Sequence, residues 1–580
     1  MSIARNRILN GSRLIFAAGL LSASAGLTAM AVIEKPIHSP THLGAVTSLP
    51  LSLDWKFTSF PSPLNHAQPV NGGKDVFFCS GTRIYCVNAE SGAMRWKFPQ
   101  DEPLSASVQG SMAYSDGELY AGASDGKILA LNANTGRLDW QYDTRSTIGN
   151  SVNLVDGVLY FGTGNNKIWA IDIKSHDTLG TWKGGVTLSN EVAAAPLVAN
   201  GFVYAVTLDQ TLHAVGAATG KERWQYRVNG SVLHLSPVIN GDYIYVPNGS
   251  NITCLLGRTG ANRWNQFLRF DVAVTPVISN DTLFVVTTDN QLDAYDARTG
   301  RRKWKNSVKM LFEVTAPPTA SQNVLFVGTT SGGLFALDTE NGSTKWSYKV
   351  APSTRTDTVP DQTNIAAAPV VVGNSLLVLS DDGSLHSFRS DAIDTTPPII
   401  SDVEPEMGVV AKGSPPIHIE AKIIDEGSGI NPDSVKIMID GEGAAKKPDG
   451  KENDDKTGYR FNPEYSLLEY DVQAPTAASS VRPLADGKHV ITIVAADWKG
   501  NVATKKWTFT VDNTVSKSLA KKRPVNANSS GPGGKGSGGA GMGGSGGRPG
   551  GGSGGRPGAG GSGGRPGGGG GRPGGGGIGG

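Results

Sequence analysis

The sequence predicts an all-β molecule: an eight-bladed β-propeller closed by its own N-terminal strand, then a small β-sandwich and a disordered Gly-rich tail. Three observations carry this. Tryptophans recur at Trp55, Trp96, Trp140, Trp182, Trp224, Trp264, Trp304 and Trp346, at intervals of 41, 44, 42, 42, 40, 40 and 42 residues. A period near 42 is that of a four-stranded blade. Between the tryptophans, stretches such as Asp116–Trp140 (DGELYAGASDGKILALNANTGRLDW) hold two β-branched or aromatic runs with period-two alternation, split by Asp, Gly and Asn. The last copy, Gly373–Phe388, lacks its Trp strand, whereas Leu53–Phe57 (LDWKF) is a Trp strand with no blade before it. Joining the two balances the count and removes the open edges of an unclosed array.

Each repeat supplies four strands. Short runs such as Leu235–Asn240 and Val274–Ser279 precede the two central strands, and a TG turn leads into the fourth. The tight turns need positive φ, which Gly, Asn and Asp tolerate; Ser124–Gly126 and Asp381–Gly383 meet that need. The propeller is expected over residues 50–392.

These repeats resemble the PQQ-like β-propeller family, whose motif is AxDxxTGxxxW. It stands intact at Ala294–Trp304, with Asn132 for Asp in Ala130–Trp140 and Asn341 for Thr in Ala336–Trp346. Cys86, Cys254 and Ser387 replace Ala, Gly216 replaces Asp, and the third copy carries two extra residues before Trp182. The resemblance implies that the Ala is buried, that TG turns the chain and that the eight tryptophans dock between blades. It fixes a fold and leaves function open.

The ends differ from the body. Residues 1–31 read as an export signal, with Arg5, Arg7 and Arg13 before the uncharged run Leu14–Ile33 and an AxA-like site at Ala29–Ala31. Retained, Leu14–Ile33 would anchor the chain in a membrane; either way the body is exported, to the periplasm, the cell surface or the medium. Of the 53 Lys and Arg, three lie in residues 1–31 and nine after Asp512, and neither stretch holds an acid, leaving 41 basic against 51 acidic residues between, net −10. An acidic body argues against a nucleic-acid surface on the folded part.

The three cysteines, Cys79, Cys86 and Cys254, are too few for a disulfide scaffold. Two readings of Cys79 and Cys86 stand: a pair facing across a hairpin that oxidises after export, or two small buried residues.

After the Thr395–Pro398 linker, residues 397–513 show alternating strands such as Ile417–Gly441 and Asp486–Asp512. Their DEGSGI and ADWKGN segments resemble bacterial extracellular immunoglobulin-like modules, which implies a spacer or adhesive unit. Gly441–Gly458 is a charged insertion. Residues 514–580 are polar, with 32 Gly from Gly531 onward and GRPG units at Arg548, Arg556, Arg565 and Arg572. Such a tail buries too little apolar surface to fold and is available to anionic polymer or a membrane surface.

The chemistry expected of this chain is sparse. The resemblance implies pyrroloquinoline quinone with Ca²⁺ for the dehydrogenases of the fold, but no Cys-Cys pair and no matching acidic cluster occurs, so no cofactor and no catalytic residue is predicted. The His residues lack HxH spacing, and GxSxG falls only in the tail. Asp425, Glu426, Asp497 and Asn501, at turns of the sandwich, are the candidate ion ligands, with ordinary turn chemistry as the alternative. Trp169 is either a ligand-stacking aromatic or a packed strand residue. The expected function is a non-catalytic exported scaffold for a protein or envelope polysaccharide. A quinone-dependent dehydrogenase, and an adhesin using the sandwich and tail, are the alternatives.

Overall fold

The structure, a computed structural model, describes residues 43–514 except 45, 47, 60–66, 352–362, 366, 412–416, 448–457 and 473–483. The stretch expected to be an export signal or an uncleaved anchor, nearly all of the Gly-rich tail and the middle of the charged insertion lie outside the described residues.

Among the described residues the only helical element is a single 3-10 turn, Gly180–Trp182. None of the described residues form a helix long and apolar enough to cross a membrane. Everything else regular is strand. Eight sheets of four or five strands follow one another in the chain, each a meander such as Val238–Asn240, Tyr243–Asn248, Asn251–Leu256 and Asn262–Phe267.

Burial explains the strand patterns. The second and third strands of each sheet face a neighbouring sheet on both sides, so runs such as Asp75–Ser80 and Val158–Thr163 are buried at every position. The outer strand is covered on one side only, and Leu138–Asp143, Glu222–Arg227 and Asn262–Phe267 alternate. The core therefore lies between sheets. Tyr120 and Ile128 of one sheet pack with Leu159, Phe161 and Ile171 of the next.

The ring closes through the N-terminal strand. Ser52–Thr58 runs antiparallel to Ser384–Arg389 as the outer strand of the eighth sheet, with Trp55 opposite Ser387 and Phe57 opposite Leu385. Leu43–Gly44 adds a parallel edge strand on Val372–Gly373.

Two expectations need correction. Trp182 sits in the 3-10 turn, and Trp304 precedes the short outer strand Val308–Lys309, so these two tryptophans are not on strands. The extra residues before Trp182 push it past the strand Asp177–Thr178, yet it remains 1% exposed and Trp304 2%. The cysteines do not face each other either, since Cys79 pairs with Ile84 and Cys86 with Phe77. All three are buried and none of them is in a disulfide, and burial pushes the thiols of Cys86 and Cys254 up to about 12.

Residues 399–511 form two facing sheets. One joins Ile399–Glu404, Ile417–Ile424, Leu467–Val472 and Arg460–Asn462. The other joins Val410–Ala411, Val502–Val511, Gly487–Ala496, Lys436–Ile439 and Glu442–Gly443. Their inner faces share one core that includes Ile419, Ile423, Leu468, Ile491, Ile493, Trp507 and Phe509.

Candidate functional site

The tryptophans form a chain of identical contacts around the ring. The indole N–H of Trp96 donates to the Ala133 carbonyl at 2.8 Å, Trp182 to Ala217 at 2.8 Å, and Trp224 to Gly257 at 2.9 Å. Trp264 donates to Ala297 at 3.2 Å, Trp304 to Thr339 at 3.0 Å, and Trp55 to Ala89 at 3.1 Å. Each acceptor lies in the turn after the third strand of the next sheet, and the turn glycine lies against the ring. A Cβ on Gly300, whose φ is +71°, would sit 2.8 Å from the Trp264 indole. Opposite each strand-borne tryptophan of the 42-residue series stands a small residue: Cys86, Ala130, Ala214, Cys254, Ala336 or Ser387. That position leaves the indole room to lean on the neighbouring sheet. Trp140 departs from the pattern, with an unpartnered indole N–H and its ring stacked 4.7 Å from His176.

Trp346 has no such turn to dock on, because the chain leaves the eighth sheet after Arg389. The turn Asp425–Gly429 of the two-sheet unit takes the place. The Trp346 indole donates to the Ser428 carbonyl at 2.9 Å, the Tyr348 hydroxyl to the Glu426 carbonyl at 2.9 Å, and Leu53 N–H to the Gly427 carbonyl at 2.9 Å. The sequence Asp425-Glu426-Gly427-Ser428-Gly429 has the same Asp-to-Gly spacing as Asp296–Gly300, and Gly429 is held at φ +83° against Ser347 and Tyr348. From the other side, Trp498 donates to the Ser347 carbonyl at 3.0 Å. Glu464 accepts from Leu311 N–H at 3.0 Å; burial pushes its carboxyl above the ordinary range.

This joint gathers acidic groups. Asp394 of the linker, Asp425 and Asp497 each place one carboxylate oxygen within 4.8 Å of the others. Asp425 is 6% exposed and Asp497 2%. Burial, with Asp394 and Asp497 adding like charge, pushes the Asp425 carboxyl up to about 6 against hydrogen bonds from Gly427 and Gly429. Asp394 is buried enough to be raised, yet hydrogen bonds from Ser428 and Thr396 hold it below its ordinary value.

Of the four candidates from sequence, the structure brings Asp425 and Asp497 together. Asn501 acts on them indirectly, its amide donating to Asp497 Oδ2 at 2.6 Å and to the Asp394 carbonyl at 3.1 Å. Glu426 contributes its carbonyl to Tyr348. Sequence reasoning missed Asp394, which lies just before the Thr395–Pro398 linker; its spacing from Asp425 carries no local pattern.

Other polar groups resolve into turn chemistry. His213, 2% exposed, lies between Ser189 Oγ at 3.0 Å and Glu222 Oε1 at 2.6 Å. Its neighbour Thr207 bonds Asp209 and the Thr211 carbonyl, as Thr287 bonds Asp289 and the Gln291 carbonyl and Ser380 bonds Asp382 and the Ser384 carbonyl. Trp169 is 6% exposed and bonded to Thr163.

One rim of the ring carries exposed apolar side chains. Turns between second and third strands contact the loops that join sheets, as in Leu208 N–H to Glu191, Gly249 N–H to Ser231 and Thr288 N–H to Asp271. On this rim Leu208 is 41% exposed, Leu233 53%, Phe267 77%, Phe270 37% and Leu311 48%.

A family model described as outer membrane protein assembly factor BamB matches residues 52–207, 153–270 and 209–405, which together span most of the chain. The chain belongs to this family. Within it, the protein of that name from Burkholderia pseudomallei is 25% identical over 325 residues, 47% of this chain and 81% of the relative. The one from Moranella endobia is 24% identical over 257 residues, 42% of this chain and 64% of the relative, so the match spans less than two thirds of that protein. Quinohemoprotein alcohol dehydrogenase ADH-IIG from Pseudomonas putida is 29% identical over 135 residues, 21% of this chain and 18% of that enzyme. Among solved structures, BamB from Moraxella catarrhalis aligns at TM-score 0.48 with 18% identity, covering 59% of this chain and all of that one.

Proposed function

We propose that this chain is a non-catalytic scaffold of the cell envelope that holds a protein partner on the apolar rim of its propeller. The observation that carries the reading is the clustering of Leu208, Leu233, Phe267, Phe270 and Leu311 on one rim, in consecutive parts of the ring. Large apolar groups held in water by rigid turns mark a binding surface, and aromatic anchors supply most of the energy at such surfaces. The relatives named as outer membrane assembly factors support a partner within outer-membrane protein assembly. The two-sheet unit, read as an immunoglobulin-like module, serves in this proposal as a spacer docked beside Trp346.

Photo-crosslinking in the native host tests this. A crosslinker at Phe267 or Leu233 is expected to capture one envelope protein, and a crosslinker at Met94, in the turn region of the opposite rim, is not. The double variant Phe267→Asp, Phe270→Asp should weaken the captured complex at least tenfold. Equal capture from both rims, or dye-linked alcohol oxidation by the purified chain with pyrroloquinoline quinone and Ca²⁺, would overturn the proposal. The second outcome would favour the dehydrogenase reading.

A further inference from the structure

We propose that Asp394, Asp425 and Asp497 hold a Ca²⁺ ion that pins the two-sheet unit to the propeller. The three carboxylates come from separate places: the linker, the turn after Ile417–Ile424, and the turn between Gly487–Ala496 and Val502–Val511. Their ligand oxygens lie within 4.8 Å of one another. Oxygens on a shared Ca²⁺, each 2.3–2.6 Å from the ion, are separated by up to about 5 Å.

Two further features point to a cation. Ser428 is fully buried, its hydroxyl has no hydrogen-bond partner of good geometry, and its backbone N–H donates to Asp394 Oδ2 at 2.8 Å, which sets the residue beside that carboxylate. In this proposal the buried hydroxyl, next to the Asp394 carboxylate, supplies a fourth oxygen ligand. Among the described residues Asp425 receives its hydrogen bonds on Oδ2, from Gly427 at 3.1 Å and Gly429 at 2.7 Å.

Basic side chains flanking the linker do not supply the missing charge. Lys499 Nζ donates to the Ser390 carbonyl at 2.7 Å, and Arg389 pairs with Asp391 at 2.6 Å and Asp54 at 3.6 Å. Two nearly buried carboxylates beside a third, without a counter-charge, are costly unless a cation joins them. An all-oxygen set without His or Cys selects a hard ion. The separate origins of the ligands suit the flexible coordination of Ca²⁺ better than the strict octahedron of Mg²⁺. Asn501, bonded to both Asp497 and the Asp394 carbonyl, is a positioning residue.

The test uses the full chain stripped with a chelator. Terbium added alone is expected to luminesce through excitation of Trp498, next to Asp497, and of Trp346, bonded to Ser428. Ca²⁺ should displace it at a stoichiometry of one, and Mg²⁺ at the same concentration should not. Ca²⁺ alone should raise the melting temperature. Asp425→Asn and Asp497→Asn should each weaken Ca²⁺ binding at least tenfold with unchanged circular dichroism. If both variants fail to fold, Asp394→Asn in the half-buried linker decides the question by the same titration. Ca²⁺ affinity weaker than roughly 10⁻³ M, or affinity unchanged in the folded variants, would overturn the site.

Discussion

His386 sits on the strand Ser384–Arg389 at 2% exposure, opposite Lys56, with Nδ1 unpartnered. Burial, reinforced by the charge of Lys56 and opposed by that of Asp382, pushes its imidazole down to about 4. The folded ring therefore favours the neutral form. The stabilising contribution is present above the unfolded value near 6.5 and is lost as pH falls through 6.5 toward 4, at about 1.4 kcal/mol per pH unit. Urea midpoints measured from pH 7 to pH 4 should fall more steeply for the native chain than for His386→Leu; parallel curves would contradict this. Residues of this kind were not legible in the sequence, because one His among nine carries no mark of its burial. The small residue opposite each indole was legible, since it repeats.

At the scale of the element, the outer strand is where the sequence was both most and least informative. Its tryptophan period set the number of repeats, yet Trp182 and Trp304 reach their docking sites from a 3-10 turn and a loop. The indole position is what packing selects, and the backbone that delivers it varies. The strand Ser52–Thr58 has the largest consequence, because it joins the chain's start to its eighth sheet and Trp55 then links that sheet to the first. Truncating a buried Trp costs about 3–5 kcal/mol; Trp55 is half-buried, so Trp55→Ala is expected near or below the lower bound. The loss should appear as a lowered midpoint of one cooperative transition of the whole ring. A native melting curve for that variant would refute closure by this strand.

For the whole molecule, the docking of the two-sheet unit repairs a gap that closure leaves. A ring whose last blade is made from two chain segments lacks one inter-blade turn, and Asp425–Gly429 fills it against Trp346. Gly429→Val is expected to break this contact, because φ is +83° and a Cβ would sit 2.7 Å from the Ser347 carbonyl. Calorimetry should then resolve two transitions where the native chain is expected to show one, with a red-shifted tryptophan emission from exposure of Trp346. A single unshifted transition would mean that the two units do not stabilise each other.

By itself the sequence determined the all-β class, the repeat and the strand that closes the ring. Each of these rests on local periodicity or turn chemistry, which a linear pattern records. Tertiary structure alone decided that Asp394 joins Asp425 and Asp497, that the apolar side chains of four loops share one rim, and that the DEGSG turn substitutes for a missing blade turn. Those arrangements bring together residues tens to hundreds of positions apart. Only the path of the folded chain sets their distances.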